Sequence, residues 1–303
     1  MTARPMSRLR ANALLLLAAL IWGSAFVGQA LGMAGVGPLT FTAVRFVLGA
    51  LVVAPLAWRE WQALRAAGHA PGRTEALWVA LLGSLLCTGV VMQQVGLMTT
   101  SVTNAGFLTA LYVPLVPLLA WLFQRQLPHW SVWPAAGGCL AGTWLLTGAS
   151  LQSLSTGDVW VLASALPWAV HVLLVGQVAN RLRGAYLLAC GQFAVCALAS
   201  GVLGMASEPI SAEGLRTAAG AIAYTGILSV GVGFTLQVVG QRHAHPADAA
   251  IILSSETVFA ALFGAWFMGD RLGPTGLAGC ALILACILAV QIGPLLKSRL
   301  STP

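Results

Sequence analysis

Apolar positions in this chain come in long unbroken runs, neither alternating as in a strand nor confined to one face as in a soluble helix. A bilayer core of about 30 Å takes roughly 20 apolar residues per helix. Ten runs of that order follow one another, at 11–32, 38–58, 76–98, 104–124, 130–149, 158–180, 185–205, 217–240, 249–269 and 275–293. Only the break from Arg59 to Glu75 carries a helical pattern of charges, and the other connections leave no room for a soluble domain. The pattern predicts an all-α integral membrane protein with ten transmembrane helices. The first run follows Arg4, Arg8 and Arg10 as a signal peptide would, but it exceeds the usual h-region and carries Trp22, Gly23 and Gln29, so it reads as a retained span.

Within the runs, one phrase occurs twice. Gly89-Val-Val-Met-Gln93-Gln-Val-Gly96 and Gly233-Phe-Thr-Leu-Gln237-Val-Val-Gly240 both read G-x3-Q-x2-G, 144 residues apart. Ala-Leu-Ile-Trp22 is echoed by Ala-Leu-Pro-Trp168, Arg45-Phe-Val by Gln192-Phe-Ala, and Trp121 with Leu127 by Trp266 with Leu272, in the same order along both halves. The chain therefore reads as a duplication: a first five-helix repeat at 11–149, a junction from Ser150 to Gly157, and a second at 158–293. Five is odd, so the second copy is expected to sit inverted in the membrane, an architecture of secondary transporters.

Composition agrees. At 58% hydrophobic and 8% charged residues, with a mean hydropathy of +0.87, the chain cannot cover a water-soluble globule with polar surface. The basic balance, 15 Lys plus Arg against 8 Asp plus Glu, is absorbed by topology. With the N-terminus in the cytoplasm, Arg4, Arg8, Arg10, Arg59, Arg65, Arg73, Arg125, Arg181, Arg183, Arg242, Lys297 and Arg299 fall inside, against Arg216 and Arg271 outside. Both termini are thus expected in the cytoplasm. No basic stripe interleaved with aromatics is present, so no nucleic-acid partner is expected. The six cysteines lie in apolar runs without a C-x-x-C pair and read as packing residues, with neither a disulfide framework nor a metal site. No cofactor is implied. H-E-x-x-H, G-x-S-x-G and a paired-carboxylate cluster are missing, so an enzyme is not expected.

Leu20-Ile-Trp22-Gly23-Ser24, the Arg45-Phe46 pair, the run from Ala105 to Pro114, and Glu256 through Gly269-Asp270-Arg271-Leu272 carry a family resemblance. The chain resembles the drug/metabolite transporter superfamily, in its ten-span bacterial branch with two EamA-type halves. It departs from the family's late pattern, with Glu256-Thr257 for Glu-Pro, Gly269-Asp270 for Gly-Glu, and Gln124-Arg125-Gln126-Leu127 in the first half. The resemblance implies a small-molecule substrate, export across the bacterial inner membrane by alternating access, and amino acids as the leading substrate guess. A channel or facilitator is the alternative.

Trp22 and Trp168, with Ser24 beside the first, lie about 15–18 Å deep by helical rise, where interfacial belt tryptophans do not belong. They read as substrate walls or as packed indoles. His171 shares a face with Trp168 and either bonds a substrate or joins two helices. Tyr112, near Pro114 and Pro117, offers a hydroxyl at similar depth. Arg45 and Glu256 are the two charges placed inside spans, as substrate or proton sites or as structural anchors, and are not expected to pair. Gln93 lies about 9 Å from the outer loop and Gln237 about 6–8 Å from the inner one, so the repeated phrase is assigned to the two ends of the pathway. Gly28-x3-Gly32 and Gly138-x3-Gly142 read as intramolecular packing first and a dimer face second, which favours a monomer.

Overall fold

Apolar runs with no water to satisfy their backbone fold into helices, and among the described residues there is no strand. The structure is a computed structural model that describes residues 6–125, 127, 130, 132–146, 155–271 and 273–300. The first half holds α1 (Arg8–Gly32), α2 (Pro38–Ala66), α3 (Arg73–Gly96), the broken pair α4 (Val102–Thr109) and α5 (Tyr112–Gln124), and α6 (Val132–Leu146). The second holds α7 (Thr156–Leu182), α8 (Ala185–Ser207), α9 (Ala212–Tyr224) running through a π-helical stretch, Thr225–Phe234, into α10 (Thr235–Gln241), the broken pair α11 (Pro246–Leu253) and α12 (Glu256–Phe263), and α13 (Pro274–Leu300). Eight of these rods are long and apolar enough to cross a membrane, and Pro274–Cys286 is a shorter apolar stretch. Leu51, Leu122, Leu198 and Trp266 are among many large apolar side chains left outside, as a lipid-facing surface requires.

Local chemistry sets the helix ends. Ser7, Ser101, Ser155 and Ser211 each accept a backbone N–H as N-caps, and Pro38 and Pro246 open helices where the missing N–H costs nothing. α2 runs on past the apolar residues to Ala66 and α3 begins at Arg73, so the two helices take up both ends of the charged break and leave 67–72 as the connection. The predicted junction falls largely outside the described residues, as do Arg4, Gln126 and Leu272.

Packing is reciprocal between the halves. α1 lies against α10, α12 and the π stretch, while α7, its counterpart, lies against α3, α4 and α5. α2 and α8 form the central pair, and α6 packs on α13. α2 and α8 run antiparallel and cap each other. Glu60, in the last turns of α2, accepts the amides of Ala185 (3.0 Å) and Leu187 (2.8 Å) at the start of α8. Glu208, just past α8, accepts those of Leu39 and Thr40, both 2.8 Å, at the start of α2. A carboxylate on a helix N-terminus satisfies orphan amides and complements the helix dipole.

The G-x3-Q-x2-G phrases sit where α3 meets α7 and where the π stretch and α10 meet α1. A Cβ on Gly89 would come within 3.1 Å of the Trp168 indole, and one on Gly233 within 2.8 Å of Trp22 Nε1. The last glycine of each phrase faces the same partner helix lower down: Gly96 faces the Gly157 carbonyl and Val161, and Gly240 faces the Ala11 carbonyl and Leu15. Gly28 faces Tyr224 and Thr225, Gly32 faces Phe41, Gly138 faces Cys286 and Gly142 faces Gly279 and Ile283, so both G-x-x-x-G faces pack within the chain.

Candidate functional site: a closed polar chamber

Two interrupted helices frame the site. Pro114 has no N–H for the Ala110 carbonyl, which accepts Val113 N instead (2.9 Å), and the rod breaks between α4 and α5. In the second half the break falls at Ser254-Ser255, 144 residues on, where both hydroxyls bond back to carbonyls three residues earlier, Ile251 and Ile252. The first residues after the breaks are Tyr112 and Glu256. Both line an enclosed cavity of about 40 Å³, room for a few waters at most.

Trp22, Arg45, Gln93, Trp168 and Gln237 line it too. The two glutamines, which helical rise separates toward opposite ends, thus face one chamber. Rise along a helix measures depth only if the rods are upright, regular and start level, and the π stretch at Thr225–Phe234 breaks the regular rise ahead of Gln237. Gln93 Nε2 donates to Thr109 Oγ1 at 2.8 Å, whereas both polar atoms of Gln237 are buried without a partner. Ser24 and His171 lie elsewhere. Ser24 shares a 2.5 Å hydrogen bond with Tyr224 beside a separate apolar groove, and His171 is 3.0 Å from Gln192 Oε1, fully buried between α7 and α8.

Sequence reasoning missed Phe234, whose ring bridges the two tryptophans, 4.6 Å from Trp22 and stacked 5.9 Å from Trp168. It also missed Phe26, Gln29, Thr109, Val172 and Ser229. The Ser229 carbonyl, turned out by the π stretch, accepts the Trp22 indole N–H at 3.3 Å. The repeat offset held the signal. Trp22 and Trp168, Phe26 and Val172, Val90 and Phe234, Gln93 and Gln237, Thr109 and Leu253, and Tyr112 and Glu256 are counterpart pairs, and every member lines the chamber.

The charges break this symmetry. Arg45 is 2% exposed, and its guanidinium carbon lies 5.4 Å from the rings of Phe41 and Phe46. It makes no hydrogen bond or ion pair among the described residues, where the ion pair present is Arg8 with Asp248, 2.9 Å apart. Glu256 is 5% exposed and likewise unpaired. A third buried charge, Asp158, closes a capping box with Ser155 and accepts from Thr100, and takes no part in the chamber. Among the described residues no cluster suited to a metal ion occurs.

A lipid-facing helical exterior around a small buried cavity defines the class: a multi-pass membrane protein whose broken helices frame an internal chamber. The chain belongs to the EamA-like transporter family, whose model matches residues 9–148 and again 155–291. It is similar, at 29% identity over 96% of its length and 88% of the relative's, to an uncharacterized transporter of Archaeoglobus fulgidus. It is also 25% identical to the uncharacterized transporter YwfM of Bacillus subtilis, over 92% of this chain and 93% of that one. A solved crystal structure shares the fold with a TM-score of 0.72 at 22% identity, covering 98% of this chain and 100% of its own. The protein is accordingly a multi-pass membrane transporter of small solutes.

Proposed function

We propose that the chain is a secondary carrier of the bacterial inner membrane that exports small organic metabolites, amino acids foremost. Its ten helices act as two inverted five-helix repeats that rock about the chamber by alternating access, with both termini in the cytoplasm. The observation that carries this reading is the matched pair of interrupted helices, whose first residues after the breaks, Tyr112 and Glu256, face one closed chamber. The antiparallel, mutually capping α2 and α8 are what inverted counterparts would form. Trp22, Trp168 and Tyr112 supply walls for the solute, and Gln93 and Gln237 the bonds that regroup as the halves part. Ser24 and His171 act outside the chamber, holding α1 to α9 and α7 to α8. A cavity of about 40 Å³ admits no metabolite without rearrangement, which favours a carrier over an open channel.

A proteoliposome screen of labelled amino acids and other metabolites, with and without a pH gradient, tests the reading. Saturable counterflow of at least one amino acid is expected. If none moves under either condition, the amino-acid reading fails; unitary conductance would replace the carrier with a channel.

A further inference from the structure

Arginines crowd one end of the bundle, where α2 ends, α3 begins and α7 turns into α8. Arg59 and Arg65 lie on the last turns of α2, and Arg73 opens α3. Arg181 lies in the last turn of α7, and Arg183 follows it in the left-handed region at φ 56°. α8 holds these ends together, because its first amides sit on Glu60 of α2 while Gly191, further along, faces Val79 of α3. All of these arginines are exposed, and none makes an ion pair among the described residues.

The acids within reach are already engaged. Glu60 uses both oxygens on α8 amides, and Glu75 accepts the Gly72 amide at 2.9 Å to close the start of α3. Asp158, Glu208, Glu213 and Asp270 belong to the opposite helix ends, Asp248 is paired with Arg8, and Glu256 is at the chamber. Tryptophans lie against the uncompensated charge. Trp58 and Trp61 stack with ring centroids 4.9 Å apart, the Arg65 guanidinium lies 5.2 Å from the Trp61 ring, and that of Arg181 lies 5.9 Å from Trp78. Toward the middle of the same helices Leu51 and Leu56 on α2, and Leu81 on α3, are exposed. Along each helix the surface thus passes from lipid-facing leucine through indole to guanidinium.

Indoles settle at the boundary between acyl chains and headgroups, and a basic cluster just beyond that boundary attracts anionic lipid. A guanidinium fork matches a phosphate bidentately. We infer that this end of the bundle is a binding site for an anionic phospholipid, its phosphate held by arginines of the α2 end and of the turn from α7 to α8, its acyl chains running down the Trp58, Trp61 and Trp78 faces. A zwitterionic lipid carries its own ammonium and gains less from the excess charge. Because α2 and α3 belong to the first half and the α7-to-α8 turn to the second, one headgroup touches both halves and braces the Glu60 clasp beside it.

Native mass spectrometry of the purified full-length protein, titrated with phosphatidylglycerol and with phosphatidylcholine, tests the site. Phosphatidylglycerol is expected to bind about tenfold more tightly. Arg65→Gln/Arg181→Gln/Arg183→Gln should lose that preference, whereas Arg216→Gln/Arg271→Gln, which removes charge from other helix ends, should keep it. Trp58→Ala/Trp61→Ala should weaken phosphatidylglycerol binding with every arginine in place. Equal binding of the two lipids by the wild-type protein overturns the site, and that comparison needs no variant to fold. Equal loss of preference in the two arginine variants also overturns it, since net charge alone would then be at work. Displacement of phosphatidylglycerol by excess inorganic phosphate would replace the lipid site with one for a soluble anion.

Discussion

Trp22 and Trp168 are held by what is missing beneath them. Gly89 and Gly233 each give an indole the space that a Cβ would take, and the indole comes from the other half of the chain. Overpacking such a site costs about 1–3 kcal/mol. Gly233→Val is therefore expected to push Trp22 off the Ser229 carbonyl and lower stability by that amount, read as a lower Tm and a shifted tryptophan emission. Unchanged emission would mean that the indole is not seated there. The residues legible in advance were those with unusual chemistry for their depth: paired tryptophans, Arg45 and Glu256 inside spans, a tyrosine beside prolines. Phe234 was not, because a phenylalanine in an apolar helix looks like any other packing residue. Its place one step after Gly233, opposite Val90 in the counterpart phrase, was the available clue.

At the scale of elements, α2 and α8 are clasped at both ends by Glu60 and Glu208. Each clasp replaces a local cap with one supplied from across the seam. Glu60→Gln and Glu208→Gln should each cost about 1 kcal/mol of stability, as lost caps do. The two should differ in function, since they act at opposite ends of the pair. Glu60→Gln is expected to raise labelling of engineered cysteines near Ala185, and Glu208→Gln that of cysteines near Leu39. Identical labelling patterns in both variants would count against independent clasps. Apolar periodicity located the rods because a bilayer-length run has few other readings. Helix existence was thus visible, whereas the breaks at Ala110-Leu111 and Ser254-Ser255 were not. Pro114 marked the first as a bend, but nothing in the second announces a break, since serines sit comfortably inside membrane helices when they bond backward. The π-helical stretch from Thr225 to Phe234 left no mark that periodicity could detect.

For the whole molecule, α3 of the first half is held against α7 of the second, where Gly96 meets Gly157 and Thr100, just past α3, donates to Asp158. The proposed rocking of the halves requires this contact to part. A Thr100→Cys/Asp158→Cys pair, oxidised to a disulfide, should abolish counterflow in proteoliposomes and recover it on reduction. Full transport with the bond intact would place the moving seam elsewhere.

The reciprocal packing also sets a timetable for biogenesis. α1 leaves the ribosome first, yet α10, α12 and the π stretch against which it is seated lie more than 190 residues downstream. At about 5–20 residues per second, synthesis of those partners takes on the order of 10–40 s. Through that interval Asn12 and Gln29, buried in the finished protein, face lipid or a membrane chaperone. A nascent chain arrested near residue 150 should therefore leave α1 open to crosslinking by membrane insertion factors, and release of the full chain should close that window.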